Sequence, residues 1–222
     1  MMTNLFSSFD PATSNNFSMN WMSSMLFLMV MPCTYWALPN QSQIICNKVF
    51  SSLNKEMYTL SMKKTPITLM MISLFMFILM NNILGLLPYI YTSSSQMTFT
   101  LTLALPLWVS FMLFGWINST NHMFAHLIPA GTPTILMPFM VCIETISNVI
   151  RPGSLAVRLT ANMIAGHLLM TLLGNNATSS SSVIIPLIIA AQLMLMWFET
   201  AVSIIQAYVF TILSTLYSSE VI

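Results

Sequence analysis

Residues 141–174 read VCIETISNVIRPGSLAVRLTANMIAGHLLMTLLG. This run holds one of the chain's four glutamates, both of its arginines and one of its three histidines. Between them stand almost only apolar and small residues. If the run lies in a bilayer, an arginine at its centre costs about 2.5–3.5 kcal/mol on insertion scales, and charge kept at that cost marks function.

Composition says that it does lie in a bilayer. Charged residues make up 5% of the 222 and hydrophobic ones 56%, against about 25% charged in globular domains. Six basic and five acidic side chains cannot cover a solvated surface. The net charge of +1 supplies no basic patch for phosphates, so nucleic acid is no partner. Cys33, Cys46 and Cys142 are odd in number and far apart, which reads as buried inert thiols rather than a disulfide framework or a metal cluster. Methionine, at 22, often stands where a membrane helix would accept Ile or Leu, a bias in keeping with an organellar genome. The start, MMTNLFSSFDPATSNNF, has neither the basic-then-apolar pattern of a secretory signal nor the arginines of a mitochondrial import sequence.

A span needs about 20 apolar residues to cross a ~30 Å hydrocarbon core. The pattern predicts an all-α membrane protein of about five embedded helices plus one amphipathic surface helix, in a single integral membrane domain over 1–222. The first span is 19–38, with Trp21, Tyr35 and Trp36 as interfacial aromatics. Residues 41–62 place Ile44, Ile45, Val49, Leu53 and Met57 at helical spacing, with Lys48, Lys55 and Glu56 on the remaining surface. Four of the six basic residues (Lys48, Lys55, Lys63, Lys64) cluster in this helix or just after it, which by the positive-inside rule puts this segment inside and the N-terminus outside. Spans follow at 66–91, where Asn81 and Asn82 need a helix partner, and at 97–117, where Pro106 kinks the helix. TSSSQ (92–96) reads as an outside turn, and NSTNHMFAHLIPAGTPT (118–134) as an inside loop. In that loop His122 and His126 stand at i, i+4 without a nearby carboxylate or thiol, and no metal site is assigned. Residues 135–173 and 183–217 each exceed an upright span and read as long, strongly tilted helices. GNNATSSSS (174–182) is expected to be a polar outside loop between them. Three Asn-X-Ser/Thr triplets (Asn16, Asn118, Asn176) are short enough to match by chance.

At 100° per residue, Glu144, Arg151 and Asn162 fall within about 40° of Arg158, with Asn148 close by, forming one polar stripe. His167 comes out about 180° from Arg158 and faces a different partner. On the last helix Gln192 and Gln206 lie within about 20° of Glu199, with Ser203 and Tyr217 on the same side. One reading of the arginines is as ion-pair glue, with Glu144 and Glu199 as partners. The other is an ion pathway. His and buried Glu can relay protons, whereas Arg stays charged and acts as a fixed positive barrier between two titratable sets.

SLAVRLTANMIAGHLL (154–169) resembles the signature of subunit a of F-type ATP synthases. IETISNVIRPGSLAVRLTANMIAGH (143–167), the 129–133 PAGTP segment and ETAVSIIQAYVF (199–210) are similar to the animal mitochondrial version. The resemblance covers essentially the whole chain. It implies a proton-translocating stator subunit with two offset half-channels feeding the carboxylates of a rotating c-ring, located in the mitochondrial inner membrane. The N-terminus would face the intermembrane space and the C-terminus the matrix. It also implies roles: Arg158, Asn162 and Gln206 for proton translocation at the ring, His167 and Glu199 for the entry half-channel, Glu144 and Glu220 for the exit. It gives Arg151 no role. Implied partners are the c-ring, peripheral-stalk and small membrane subunits, protons and lipid. No cofactor is implied and no catalytic site, since no GxxxxGK[ST] loop occurs. The alternative is another proton-coupled respiratory-chain or transporter subunit, but a haem-binding bundle wants axial histidines on facing spans and only His167 lies within one.

Overall fold

The computed structural model describes residues 4–14, 17–32, 37–61, 65–128, 132–181 and 183–221. Cys33, Tyr35, Trp36, Lys63, Lys64 and most of the 129–133 segment lie outside these. Among the described residues the regular structure is helical throughout. Four helices are long and apolar enough to cross a membrane, so the chain is a multi-pass, all-α membrane protein.

The N-terminal region differs from the expected 19–38 helix. Met19–Met25 is a 3-10 helix running into a single α turn, α1 (Phe27–Val30). Met31 is already extended, as a residue ahead of a proline tends to be, and Pro32 follows it. At 1.5–2.0 Å per residue the segment from 19 to 30 covers roughly 18–24 Å, short of the ~30 Å core.

Helix α2 (Gln41–Leu60) is the expected amphipathic element. It starts on a capping box, with the Asn40 backbone N–H donating to Gln43 Oε1 at 2.9 Å. Its Leu53 and Met57 are buried. Its polar side is also used, since Tyr208 Oη donates to Glu56 Oε2 at 2.9 Å.

Helix α3 (Thr65–Gly85) stops earlier than the expected residue 91. Pro88 lacks an N–H and Tyr89 takes a left-handed φ of 69°, so 86–92 form an irregular connection. The TSSSQ turn is a 3-10 turn over Ser93–Ser95, and its serines are buried rather than exposed. Helix α4 (Met97–Asn118) carries Pro106 inside it. The expected inside loop contains a short helix, α5 (Thr120–His126).

Helix α6 (Met137–Ser179) runs unbroken for 43 residues through Pro152. It also absorbs most of the polar stretch expected as a loop at 174–182. Hydroxyls there bond back to the helix itself, Thr178 Oγ1 to the Asn175 carbonyl at 2.8 Å for example, so polarity does not end the helix. Helix α7 (Ile185–Val221) has 37 residues. Its faces set the bundle: α3 and α6 pack on α7, and α4 packs on α6.

The core draws on Leu53, Phe75, Ile78, Ala104, Leu107, Leu155, Ala156, Leu159, Ala207 and Phe210. Lipid tails are as apolar as leucine, so close packing rather than expulsion of water holds such helices together. Small residues permit it: Ala156 and Ala207 are fully enclosed, as are Thr211, Thr215 and Ser218 on α7. Asn82 is likewise enclosed and donates to the Ser203 carbonyl of α7 at 3.5 Å, the helix partner its amide required. Asn81 turns back to the Phe77 carbonyl of its own helix. Cys142 is exposed on α6 rather than buried, and Cys46 is half-buried. Cys142 sits among exposed apolar residues such as Ile143 and Ile146, on a face left uncovered among the described residues.

Candidate functional site

The two polar stripes read from the sequence meet along α6 and α7, and they divide into three groups.

His167 and Glu199 line one cavity of about 740 Å³, together with the 86–92 connection and the N-terminal 3-10 segment. Gln192, Asn20 and Tyr91 also line it. Glu199 is buried and packs directly on Gly166, the residue before His167. His167 Nε2 and Glu199 Oε1 are both buried without a hydrogen-bond partner. Leaving such a group unpaired costs about 1–3 kcal/mol. Both residues line a space with room for many waters at about 30 Å³ each. The phenyl ring of Phe9 meets the His167 ring edge-on, with centroids 6.4 Å apart.

Arg158 stands apart from this cavity, nine residues and so about 14 Å down α6 at 1.5 Å per residue. Its side is exposed, and among the described residues no hydrogen bond or ion pair engages it. It shares a narrow cleft with Gln206, framed by Leu155, Leu159, Val209 and Phe210. Asn162, one turn further on, is half-buried. The half-turn separating the Arg158 face from the His167 face is therefore real, and Gln206 joins the first.

The third group is at the other end of α6. Arg151 bridges two carboxylates: its Nη2 lies 3.3 Å from Glu144 Oε1 and its Nη1 2.5 Å from Glu220 Oε2. Its guanidinium carbon sits 5.1 Å from the Tyr217 ring centroid. Glu144 is on α6 and Glu220 in the last turn of α7, so one arginine joins the two ends. A second cavity, of about 240 Å³, is lined by Glu220, Asn148, Thr145 and His126. Ion-pair glue thus fits Arg151, through Glu144 and Glu220. It does not fit Arg158 or Glu199.

Sequence reasoning brought His167 and Glu199 to one region and offered Glu144 as an ion-pair partner for the arginines, but missed Gly166, Phe9, Asn20 and Glu220 as the second partner of Arg151. Spacing along α6 does place Arg151 two turns from Glu144. Nothing local predicts that Glu220, 69 positions away, closes the other side. His122 and His126 lie with ring centroids 6.3 Å apart, and among the described residues no third His, Cys, Asp or Glu joins them.

A family model described as ATP synthase A chain matches residues 17–219. Full-length similarity extends to curated relatives. The chain is 63% identical over 225 residues to ATP synthase subunit a of Aedes aegypti and 62% over 225 to that of Anopheles gambiae. To that of Drosophila melanogaster it is 60% identical over 223 residues. Each alignment covers 100% of both chains.

Proposed function

The chain belongs to the ATP synthase A chain family, and from that membership we propose how its three polar groups divide the work of proton transfer. It is the proton-translocating subunit of the ATP synthase membrane sector. In this reading the cavity at His167 and Glu199 is the entry half-channel, the Arg158 cleft faces the rotating ring, and the Glu144–Arg151–Glu220 bridge borders the exit.

The observation that carries it is the isolation of Arg158. A guanidinium with no partner among the described residues, on the exposed side of a membrane helix, calls for an acidic partner from outside. A carboxyl of the c-ring has that chemistry. A proton entering past His167 and Glu199 neutralises such a carboxyl, which can then turn into lipid. On its return, the positive field of Arg158 favours the ionised form and the proton leaves towards Glu144 and Glu220. Gln206, which shares the Arg158 cleft, and Asn162, one turn further along α6, supply neutral polar groups on the way to the ring. Because Arg cannot give up its proton at physiological pH, it also prevents direct leakage between the half-channels. A membrane potential contributes about 2.3 kcal/mol per charge per 100 mV.

At about 65 and 55 Å, α6 and α7 are each near twice the core thickness, and we place them steeply tilted so as to follow the curved flank of the ring. The site lies in the mitochondrial inner membrane, with the N-terminus towards the intermembrane space and the C-terminus towards the matrix. The chain itself has no catalytic site: it delivers torque, and other subunits make the phosphoanhydride bond. Peripheral-stalk and small membrane subunits cover the remaining apolar faces.

The test is Arg158→Lys and Arg158→Ala in the assembled complex. Proton-driven ATP synthesis is expected to be lost in both while the complex still forms. Synthesis at wild-type rates in either variant would overturn the reading.

A further inference from the structure

The N-terminal segment ahead of the first apolar stretch has no part in the mechanism above, yet it is tied to the entry cavity by several contacts. Its 3-10 helix spans Leu5–Phe9. Gln96 Nε2 donates to the Phe9 carbonyl at 2.6 Å and Tyr91 Oη donates to the same oxygen at 3.1 Å. Gln96 also donates to Tyr91 Oη at 2.8 Å, which closes the triangle. One residue on, Asn20 Nδ2 donates to the Asp10 carbonyl at 3.3 Å. These bonds hold backbone, so they fix the segment whatever its side chains are. What they aim inward is the Phe9 ring, at 86° to the His167 imidazole. Phe6, on the same short helix, points away and is 70% exposed.

We propose that Leu5–Asp10 forms a wall of the entry cavity and that Phe9 is a positioning residue for His167. This rests on the reading of His167 and Glu199 as the entry pair. The imidazole has one nitrogen, Nε2, without a hydrogen-bond partner, while the ring also interacts with the Gly85 backbone. One backbone contact leaves the ring free to swing about it. The edge of Phe9 supplies the second contact and restricts the swing, holding the imidazole at the cavity that it lines with Glu199. An imidazole that must pass a proton on needs that fixed aim, since transfer demands hydrogen-bond geometry. The titratable groups around the same cavity are Glu199 from α7, Tyr89 and Tyr91 from the 86–92 connection, and Asp10 from the segment itself, which acts electrostatically on Tyr91.

The test uses the assembled synthase in sealed vesicles, with ATP synthesis driven at fixed potential while pH is varied on the entry side. An aromatic edge contact corresponds to about two- to tenfold in an equilibrium. Phe9→Ala is therefore expected to slow synthesis by about that factor and to move the pH profile, with Phe9→Tyr restoring both and Phe6→Ala changing neither. If Phe9→Ala fails to assemble, Gln96→Leu loosens the backbone tether with the ring retained, and is expected to move the profile the same way. An unmoved profile in the assembled Phe9→Ala or Gln96→Leu complex overturns the proposal, as does an equal effect from Phe6→Ala. Glu199→Gln in the same vesicles separates the two readings. If it leaves synthesis intact, the entry assignment fails. If it slows synthesis while the Phe9 variants do nothing, only the wall and positioning role fails.

Discussion

A Cβ built on Gly166 would lie 2.7 Å from both Cδ and Oε1 of Glu199. Helix α6 therefore gives up a side chain where α7 brings its buried carboxyl against it, beside His167. The glycine costs α6 about 1 kcal/mol in helix propensity relative to alanine, and in exchange the two helices place an acid and an imidazole on one cavity.

Gly166→Ala tests that exchange. Alanine favours the helix, and the clashing atoms are the end of a flexible side chain, so the fold and assembly are expected to hold. The carboxyl must move, and a displacement on the ångström scale costs up to about a hundredfold in a transfer step that depends on geometry. Proton flux through the reconstituted membrane sector is expected to fall by about ten- to a hundredfold with normal amounts of assembled complex. Full flux would mean that the position of Glu199 does not matter. His122→Ala, outside the lining of the entry cavity, is the control and should leave flux unchanged.

The Arg151 bridge predicts a coupling between residues 69 positions apart. The three side chains are 24%, 26% and 37% exposed for Arg151, Glu144 and Glu220, so solvent screens them in part. The appropriate scale is about 1 kcal/mol rather than the 3–5 of a fully buried pair. Arg151→Gln and Glu220→Gln should each speed hydrogen exchange in the last turn of α7 by about fivefold, and the double variant should add little to either. Strictly additive effects would show that the bridge carries no energy.

Tyr91, in the connection outside the spans, gives a pH prediction. Burial, the largest influence, raises its phenol above the ordinary value of 10.0, the bond from Gln96 lowers it, and the charge of Asp10 raises it. The neutral phenol is the form favoured by folding. Its contribution is therefore fully present below pH 10 and is lost as pH rises through the elevated pKa. The phenolate absorbance that Tyr91→Phe removes should appear only above the ordinary tyrosine range. Asp10→Asn should bring it down and Gln96→Leu should push it further up. A Tyr91 component titrating at or below the ordinary value would contradict the burial of this corner.

Much of the plan was legible in one dimension because membrane helices obey simple periodicities. Glu144, Arg151, Arg158 and Asn162 fall on one stripe at 100° per residue, and the structure does put Arg158 with Gln206 and leaves His167 on the other side. Residues 19–38 are not one regular α-helix among the described residues, because hydropathy counts apolar residues without weighing Pro32 and the serines. The 174–182 stretch misled for the converse reason: hydroxyls that look like a loop were absorbed by their own helix.

The sequence by itself determined that this chain is a membrane protein and which residues carry its charge. Eleven charged side chains cannot clothe a soluble fold, and those inside the spans are too costly to be incidental. Only the tertiary structure decided their company. It gave Arg151 two carboxylates, left Arg158 with none among the described residues, set Gly166 under Glu199, and brought Phe9 back across the chain to His167. Such pairings depend on how helices cross and where loops return, and a period along one helix carries no information about the residue that will face it from another.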